Sequence, residues 1–203
     1  MAGLHRAGQV VGMLIVLVMA ASFSSGGASS SGGGSSPPPG STPPPGTFMP
    51  ASGTARSGLL FEQFHNAALG YHLPYPGGWH VTRKGTTVRI AKFGNSIVIA
   101  QRPSKSAPKL KGVKAALKQQ RKKGTVLSVT VPVRSVKVPA GSALRMVYTQ
   151  ARQASSTSPA ATLVVYRYIL FHNGKVYILS MESPKQFDNR APFKLIADGF
   201  GWG

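Results

Sequence analysis

An antiparallel α+β domain is predicted by three observations. β-rich runs cover Val126–Val138, which alternates in polarity, and Thr162–Phe171. An Asn173-Gly174 pair, the strongest short hairpin signal, separates Thr162–Phe171 from Lys175–Met181. An amphipathic basic segment covers Lys111–Lys123 and stops at Gly124. Together they predict about six antiparallel strands flanked by two or three helices, an αβα sandwich, over residues 54–203.

Ahead of that domain lies an apolar leader. Arg6 and the amino terminus precede the run Val10–Ala21, which is shorter than the ~20 apolar residues of a full membrane span. Residues 1–23 therefore read as a signal peptide, with Ala20 and Ser22 as the small residues of a cleavage site, or as an uncleaved signal anchor. Either way the chain is expected to be exported, then secreted or held by an N-terminal helix. No cysteine occurs, so neither lipid attachment at a Cys nor disulfides are available, and stability must come from the core.

Residues 24–53 form a Ser/Gly/Pro-rich linker. Its Ser/Gly half is expected to be a disordered coil spanning roughly 20 Å, and the PPPGSTPPPG half a stiffer polyproline II spacer of roughly 30 Å. Such a linker holds the domain within tens of ångströms of a membrane if the leader is retained.

Within the domain, Leu60, Phe64 and Ala67/Ala68 recur at helical spacing and predict a short helix over Leu59–Leu69. Tyr71, Leu73 and Tyr75 alternate as on a strand, and Pro74 predicts an edge position. Pro76-Gly77-Gly78 breaks that strand and returns Trp79 against it. Val88–Phe93 and Ile97–Gln101 predict a hairpin through Gly94-Asn95-Ser96. In the helix Lys111–Lys123, Val113, Ala116, Leu117 and Gln120 share one face, and Lys111, Lys114, Lys118, Arg121 and Lys122 the other. Pro139-Ala140-Gly141 turns Val126–Val138 into Ala143–Gln150. A closing helix is expected from Phe187 or Pro192 through Asp198, with Phe193, Ile196 and Ala197 facing the sheet, and Phe200 and Trp202 follow as terminal anchors.

The stretch Tyr71-His72-Leu73-Pro74-Tyr75-Pro76-Gly77-Gly78-Trp79 resembles the opening strand and turn of the PsbP-like fold, found in the extrinsic P subunit of photosystem II and in LpqN-type lipoproteins. Lys175–Met181 followed by Phe193–Phe200 is similar to that fold's last strand and closing helix. The resemblance covers roughly residues 60–202 and marks Tyr71, Tyr75, Pro76, Trp79 and Phe200 as structural positions. It implies an antiparallel sheet between helices, a generally non-enzymatic role, and a binding or assembly module. The missing lipobox cysteine departs from the lipoprotein pattern.

Catalytic signals are weak. The four acids are Glu62, Glu182, Asp188 and Asp198, and none has the local spacing of a general acid/base pair. Asp188 and Asp198 read as helix-end or surface residues. Glu62 and His65 would share a helical face, near His72 and His80, but no zinc-binding spacing joins them. His172, beside the hairpin turn, is expected to be exposed. Ser106-Ala107-Pro108-Lys109 fits S-x-x-K formally, yet Pro108 opposes the helix that this chemistry needs. No catalytic residue, metal ligand or cofactor site is assigned.

Charge is the informative feature. Lys and Arg number 24 against those four acids, a net charge of +20, and only Arg6 precedes the domain. The excess predicts attraction to anions. The candidate anion-binding set is Lys109, Lys111, Lys114, Lys118, Arg121, Lys122 and Lys123. For an exported protein the expected partner is an envelope protein, an anionic envelope polymer or a lipid surface. Nucleic acid is disfavoured, because no stacking aromatics interleave with the basic helix, and no small-molecule substrate is indicated.

Overall fold

The structure, a computed structural model, describes residues 60–154 and 160–203. The leader at 1–23 and the linker at 24–53 lie outside them, as do the first residues of the expected domain. No helix among the described residues is long and apolar enough to cross a membrane.

Among the described residues ten strands and two helices follow one another: β1 (Phe61–Asn66), β2 (Tyr71–Pro76), β3 (His80–Lys84), β4 (Thr87–Lys92), β5 (Asn95–Pro103), α1 (Leu110–Lys122), β6 (Val126–Val138), β7 (Gly141–Arg152), β8 (Ala161–His172), β9 (Lys175–Pro184), α2 (Arg190–Asp198) and β10 (Gly201–Trp202). Seven of them form one sheet in the order β3-β4-β5-β9-β8-β7-β6, and three form a second, β1-β2-β10. Every pairing is antiparallel.

The large sheet is apolar on both faces, because residues of alternating parity point to opposite sides. On one side Ile97, Ile99, Leu179, Met181 and Leu170 meet Phe193 and Ile196 of α2, together with Tyr71 and Leu73 of the small sheet. On the other, Val113 and Leu117 of α1 meet Val133, Leu144, Met146, Val165 and Ile169. One face is thus covered by a helix plus a second sheet, and the other by α1. The expected α+β class and closing helix agree with this; the strand number does not, since ten strands form, the short β3 and β10 and the N-terminal β1 among them, where about six were expected.

The expected helix over Leu59–Leu69 is instead β1 and a turn. Pairing with β2, His65 opposite His72 and Phe64 opposite Leu73, outweighs a helical spacing only two turns long. Glu62 and His65, three apart, consequently lie on opposite faces of a strand. Pro74 stands not on an edge but in the middle strand of the small sheet; it is tolerated because β10 pairs only with Tyr71 and His72. The β4–β5 hairpin turns at Phe93-Gly94, not at Gly94-Asn95-Ser96: Lys92 pairs with Asn95, and Phe93 and Gly94 have φ of 49° and 80°, as a two-residue turn of this hand requires. Asn95 is thereby buried, where its Oδ1 accepts a hydrogen bond from Asn189 Nδ2 at 3.1 Å. The Asn173-Gly174 turn forms where expected, with both φ values positive.

Tyr71, Tyr75, Trp79 and Phe200 are all buried in the core beneath the small sheet, as is Pro76. Tyr71 stacks on Phe200 with ring centroids 5.6 Å apart. The Tyr75 hydroxyl donates to Glu62. Trp202 Nε1 donates to the Ala140 carbonyl at 2.8 Å, tying β10 to the β6–β7 turn.

Candidate functional site

α1 carries the basic residues singled out above. Its C-terminus is closed by Gly124, φ 72°, whose amide donates to the Arg121 carbonyl while that of Thr125 donates to Gln120, a Schellman arrangement. Val113, Ala116 and Leu117 are buried. At about 100° per residue, Arg121, Lys114, Lys118, Lys111 and Lys122 then fall on one flank of the helix, within an arc of about 100°. All of them are exposed. Lys109 and Lys123 occupy the two cap positions, at the ends of that stripe rather than in it.

None of the four acids reaches this stripe. Asp188 pairs with Arg190 and Asp198 with Lys194. Glu62 accepts from Tyr75 and from the Gly78 amide, which hold its carboxyl below the usual range. Glu182 accepts from Ser96 at 3.0 Å and from Gln150 at 3.4 Å. The stripe therefore has a cost. Neighbours at i,i+3 and i,i+4, such as Lys114 with Lys118 and Lys118 with Lys122, repel by roughly 0.2–0.5 kcal/mol each. Arg121 and Lys122 suit the C-terminal end of the helix dipole, but Lys111 stands near the positive N-terminal end, where the first turn contains no acid.

The same side of the sheet bears cations that sequence reading missed. No residue of β3, β4 or β5 belongs to the cluster under α1. That part of the face carries Arg89 and Val98 in register, continuing through Ser180 to Arg167. Arg102 lies farther along β5. Arg89, Arg102 and Arg167 are each half-buried. Arg167 Nε donates to Ser180 Oγ at 2.9 Å, and its guanidinium sits 5.3 Å from the centre of the Tyr148 ring. A signal for it existed. Arg167 interrupts the apolar stripe Val165, Ile169, Phe171, as Arg102 ends the stripe Val98, Ala100.

The histidines do not assemble. His65 and His72 are cross-strand partners with rings 5.5 Å apart, while His80 is on β3. His172 is not the exposed turn residue expected: its ring stacks on Trp202, centroids 4.2 Å apart at 6°. Among the described residues no group of three His, Asp or Glu could hold a metal. Ser106 lies in the exposed loop before α1, and Lys109 is extended, so the S-x-x-K segment does not form the helical turn that a Ser/Lys pair needs.

No protein-family model and no curated protein matches this sequence. Solved structures do. Cyanobacterial PsbP from Synechocystis sp. PCC 6803 superposes with a TM-score of 0.52 at 12% identity, over 75% of this chain and 98% of that one. This chain has the PsbP fold. Two further proteins align less closely. The Ran-binding protein Mog1p of Saccharomyces cerevisiae has a TM-score of 0.48 at 9% identity, covering 71% of this chain and 96% of its own. LpqN of Mycobacterium tuberculosis, involved in cell envelope biogenesis, has a TM-score of 0.41 at 11% identity, covering 70% and 90%. The chain spans 48% of the length of a Bacteroides thetaiotaomicron protein that aligns at a TM-score of 0.44, with 10% identity over 70% of this chain. Within the PsbP fold, the strand-and-turn segment from Tyr71 to Trp79 supplies core residues rather than a site.

Proposed function

We infer that this chain is an exported, non-catalytic binding or assembly module of PsbP fold, working at the cell envelope and docking an anionic partner on α1. The observation that carries this reading is the exposed flank of Lys111, Lys114, Lys118, Arg121 and Lys122, which no acid of the protein neutralises. A helix gains nothing internally from such a stripe, so its use lies in what it meets. The apolar leader and the Ser/Gly/Pro linker support a place outside the cytoplasmic membrane. Each basic residue close to an anionic membrane contributes about 1 kcal/mol, an attraction that decays within a Debye length.

The test is sedimentation of the full chain with vesicles of phosphatidylcholine, with and without phosphatidylglycerol, at rising salt. Replacing the five stripe residues by Gln is expected to weaken binding to the anionic vesicles about tenfold or more. The leader is common to both chains and cancels. Unchanged binding by the Gln variant would remove α1 from the docking surface. Equal affinity for vesicles and for duplex DNA would reduce the module to a nonspecific polyanion binder.

A further inference from the structure

We propose that the tip of the β4–β5 hairpin docks the domain on an anionic lipid bilayer, with Phe93 entering the interface and the cations around it meeting the headgroups. The proposal rests on the envelope reading above, but it uses a different surface from the α1 flank. Phe93 takes the first position of the two-residue turn at φ 49°, in the left-handed region that a bulky side chain rarely adopts. Asn or Gly would fit there without strain. Burial of Asn95 against Asn189 fixes where the turn falls, yet it does not call for a phenylalanine. Nor does Phe93 gain a place in the core, being 57% exposed. Strain held at an exposed aromatic residue points to a use outside the fold.

The surroundings of Phe93 suit a headgroup layer. Lys92 Nζ lies 5.1 Å from the centre of its ring. Arg152 donates to the Gly94 carbonyl at 3.2 Å and so braces the turn. A Cβ on Gly94 would stand 3.6 Å from Pro184 Cγ of β9, and the next residue, Lys185, is exposed. Glu182, the acid of β9, is engaged by Ser96 and Gln150. Pro184 pairs with Leu163, Leu163 with Gln150 and Gln150 with Val126. The start of β6 therefore closes the same end of the sheet, with Leu127 48% exposed. Exposed apolar side chains among cations match an anionic membrane interface. A second copy of this chain, itself at +20, is repelled from that surface. The tether enters at this end too. Leu60, where the described domain begins, accepts from the Gly77 amide at 2.7 Å, and a Cβ on the adjacent Gly78 would stand 3.4 Å from Lys92 Nζ. The chain from the linker thus joins the domain beside the hairpin tip.

The experiment adds the full chain to vesicles of brominated phosphatidylcholine, with and without phosphatidylglycerol, and reads tryptophan fluorescence above the background of Trp79 and Trp202. Three variants place a reporter: Phe93→Trp, Leu127→Trp at the same end of the sheet, and Ser142→Trp beside the β6–β7 turn at the opposite end. With phosphatidylglycerol present, emission of Phe93→Trp is expected to shift to the blue and be quenched by the bromine. Leu127→Trp should be quenched less, and Ser142→Trp not at all. These readings report on the domain whether or not the leader inserts. Phe93→Asn suits the turn, so it should raise the thermal midpoint. It should nevertheless raise about tenfold the lipid concentration that half-quenches Leu127→Trp. Quenching of Phe93→Trp that survives Gln replacement of the α1 stripe would leave this proposal standing while the α1 reading fails. Weaker vesicle binding by the stripe variant, with Phe93→Trp unquenched, would keep the α1 reading and overturn this one. Equal quenching of Phe93→Trp and Ser142→Trp, or quenching of Leu127→Trp indifferent to Phe93→Asn, would also overturn it.

Discussion

The two faces of the seven-stranded sheet solve the same burial problem differently. One is roofed by α2 and the small sheet, and carries Tyr71, Phe193, Phe200 and Trp79 in a continuous aromatic and aliphatic core. The other is covered by α1, whose cluster draws on β6 to β9 only; Arg89 on β4 and Arg102 on β5 lie outside that cluster, half-buried. A sheet buried on both faces needs apolar residues at every position; this one relaxes that demand over β4 and β5, where half-buried charge becomes affordable. Stability resides on the first face, and the charge available for recognition on the second.

The largest expected effect separates the two faces directly. Phe193→Ala or Phe200→Ala, both nearly inaccessible, should cost about 3–5 kcal/mol, against about 2 kcal/mol for Leu117→Ala under α1. Urea unfolding of the three variants measures this. Equal losses would mean that α1 seals its face as completely as α2 and the small sheet seal theirs.

A pH experiment sharpens the same contrast, since each face holds one fully buried tyrosine. Burial pushes both Tyr71 and Tyr148 up to about 12. The unfolded chain releases these protons near pH 10 while the folded chain retains them. Stability should therefore fall between about pH 10 and pH 12, by at most about 1.4 kcal/mol per pH unit for each tyrosine. Tyr71→Phe and Tyr148→Phe should each remove one share of that slope in denaturant midpoints taken across the range. Because the Arg167 charge lowers the Tyr148 pKa, Arg167→Gln should move the tyrosinate absorbance of Tyr148 to higher pH and leave Tyr71 alone. A shift shared by both would dissolve the distinction between the faces.

The smallest effect belongs to the cap of α1. Gly124 sits at φ 72° with no atom near where a Cβ would stand. Gly124→Ala should cost about 1 kcal/mol through backbone strain alone. Thermal unfolding would register it, and a neutral result would show that the Schellman turn contributes little to holding α1 on the sheet.

Most strands were legible because their signals are local. Val126–Val138 alternates over most of its length, and Asn173-Gly174 has positive φ at both positions at little cost. β1 was not legible: six residues with Glu62, Gln63 and His65 among them carry too short a pattern to distinguish period 2 from period 3.6, and only the pairing with β2 decides. The Phe93-Gly94 turn was hidden for a related reason. Gly-Asn is the better turn pair by propensity, but Asn95 is needed inside, against Asn189, and that contact moves the turn by one residue. The lysines of α1 were visible as a run. Arg89 and Arg167 were not visible as members of one row across the sheet, since strand order, not chain order, puts them in it.

By itself the sequence determined the α+β class, the amphipathic helix with its basic flank, the hairpin at Asn173-Gly174 and the surplus of positive charge. Each of these depends on residues within a turn or a strand of one another, or on composition alone. Tertiary structure decided that the strands divide into two sheets, that the cluster under α1 takes no residue from β3, β4 or β5, and that Arg89 and Arg102 lie on that part of the face. Those outcomes rest on the order β3-β4-β5-β9-β8-β7-β6, which follows from the joint burial of both faces and leaves no trace in any short stretch of chain.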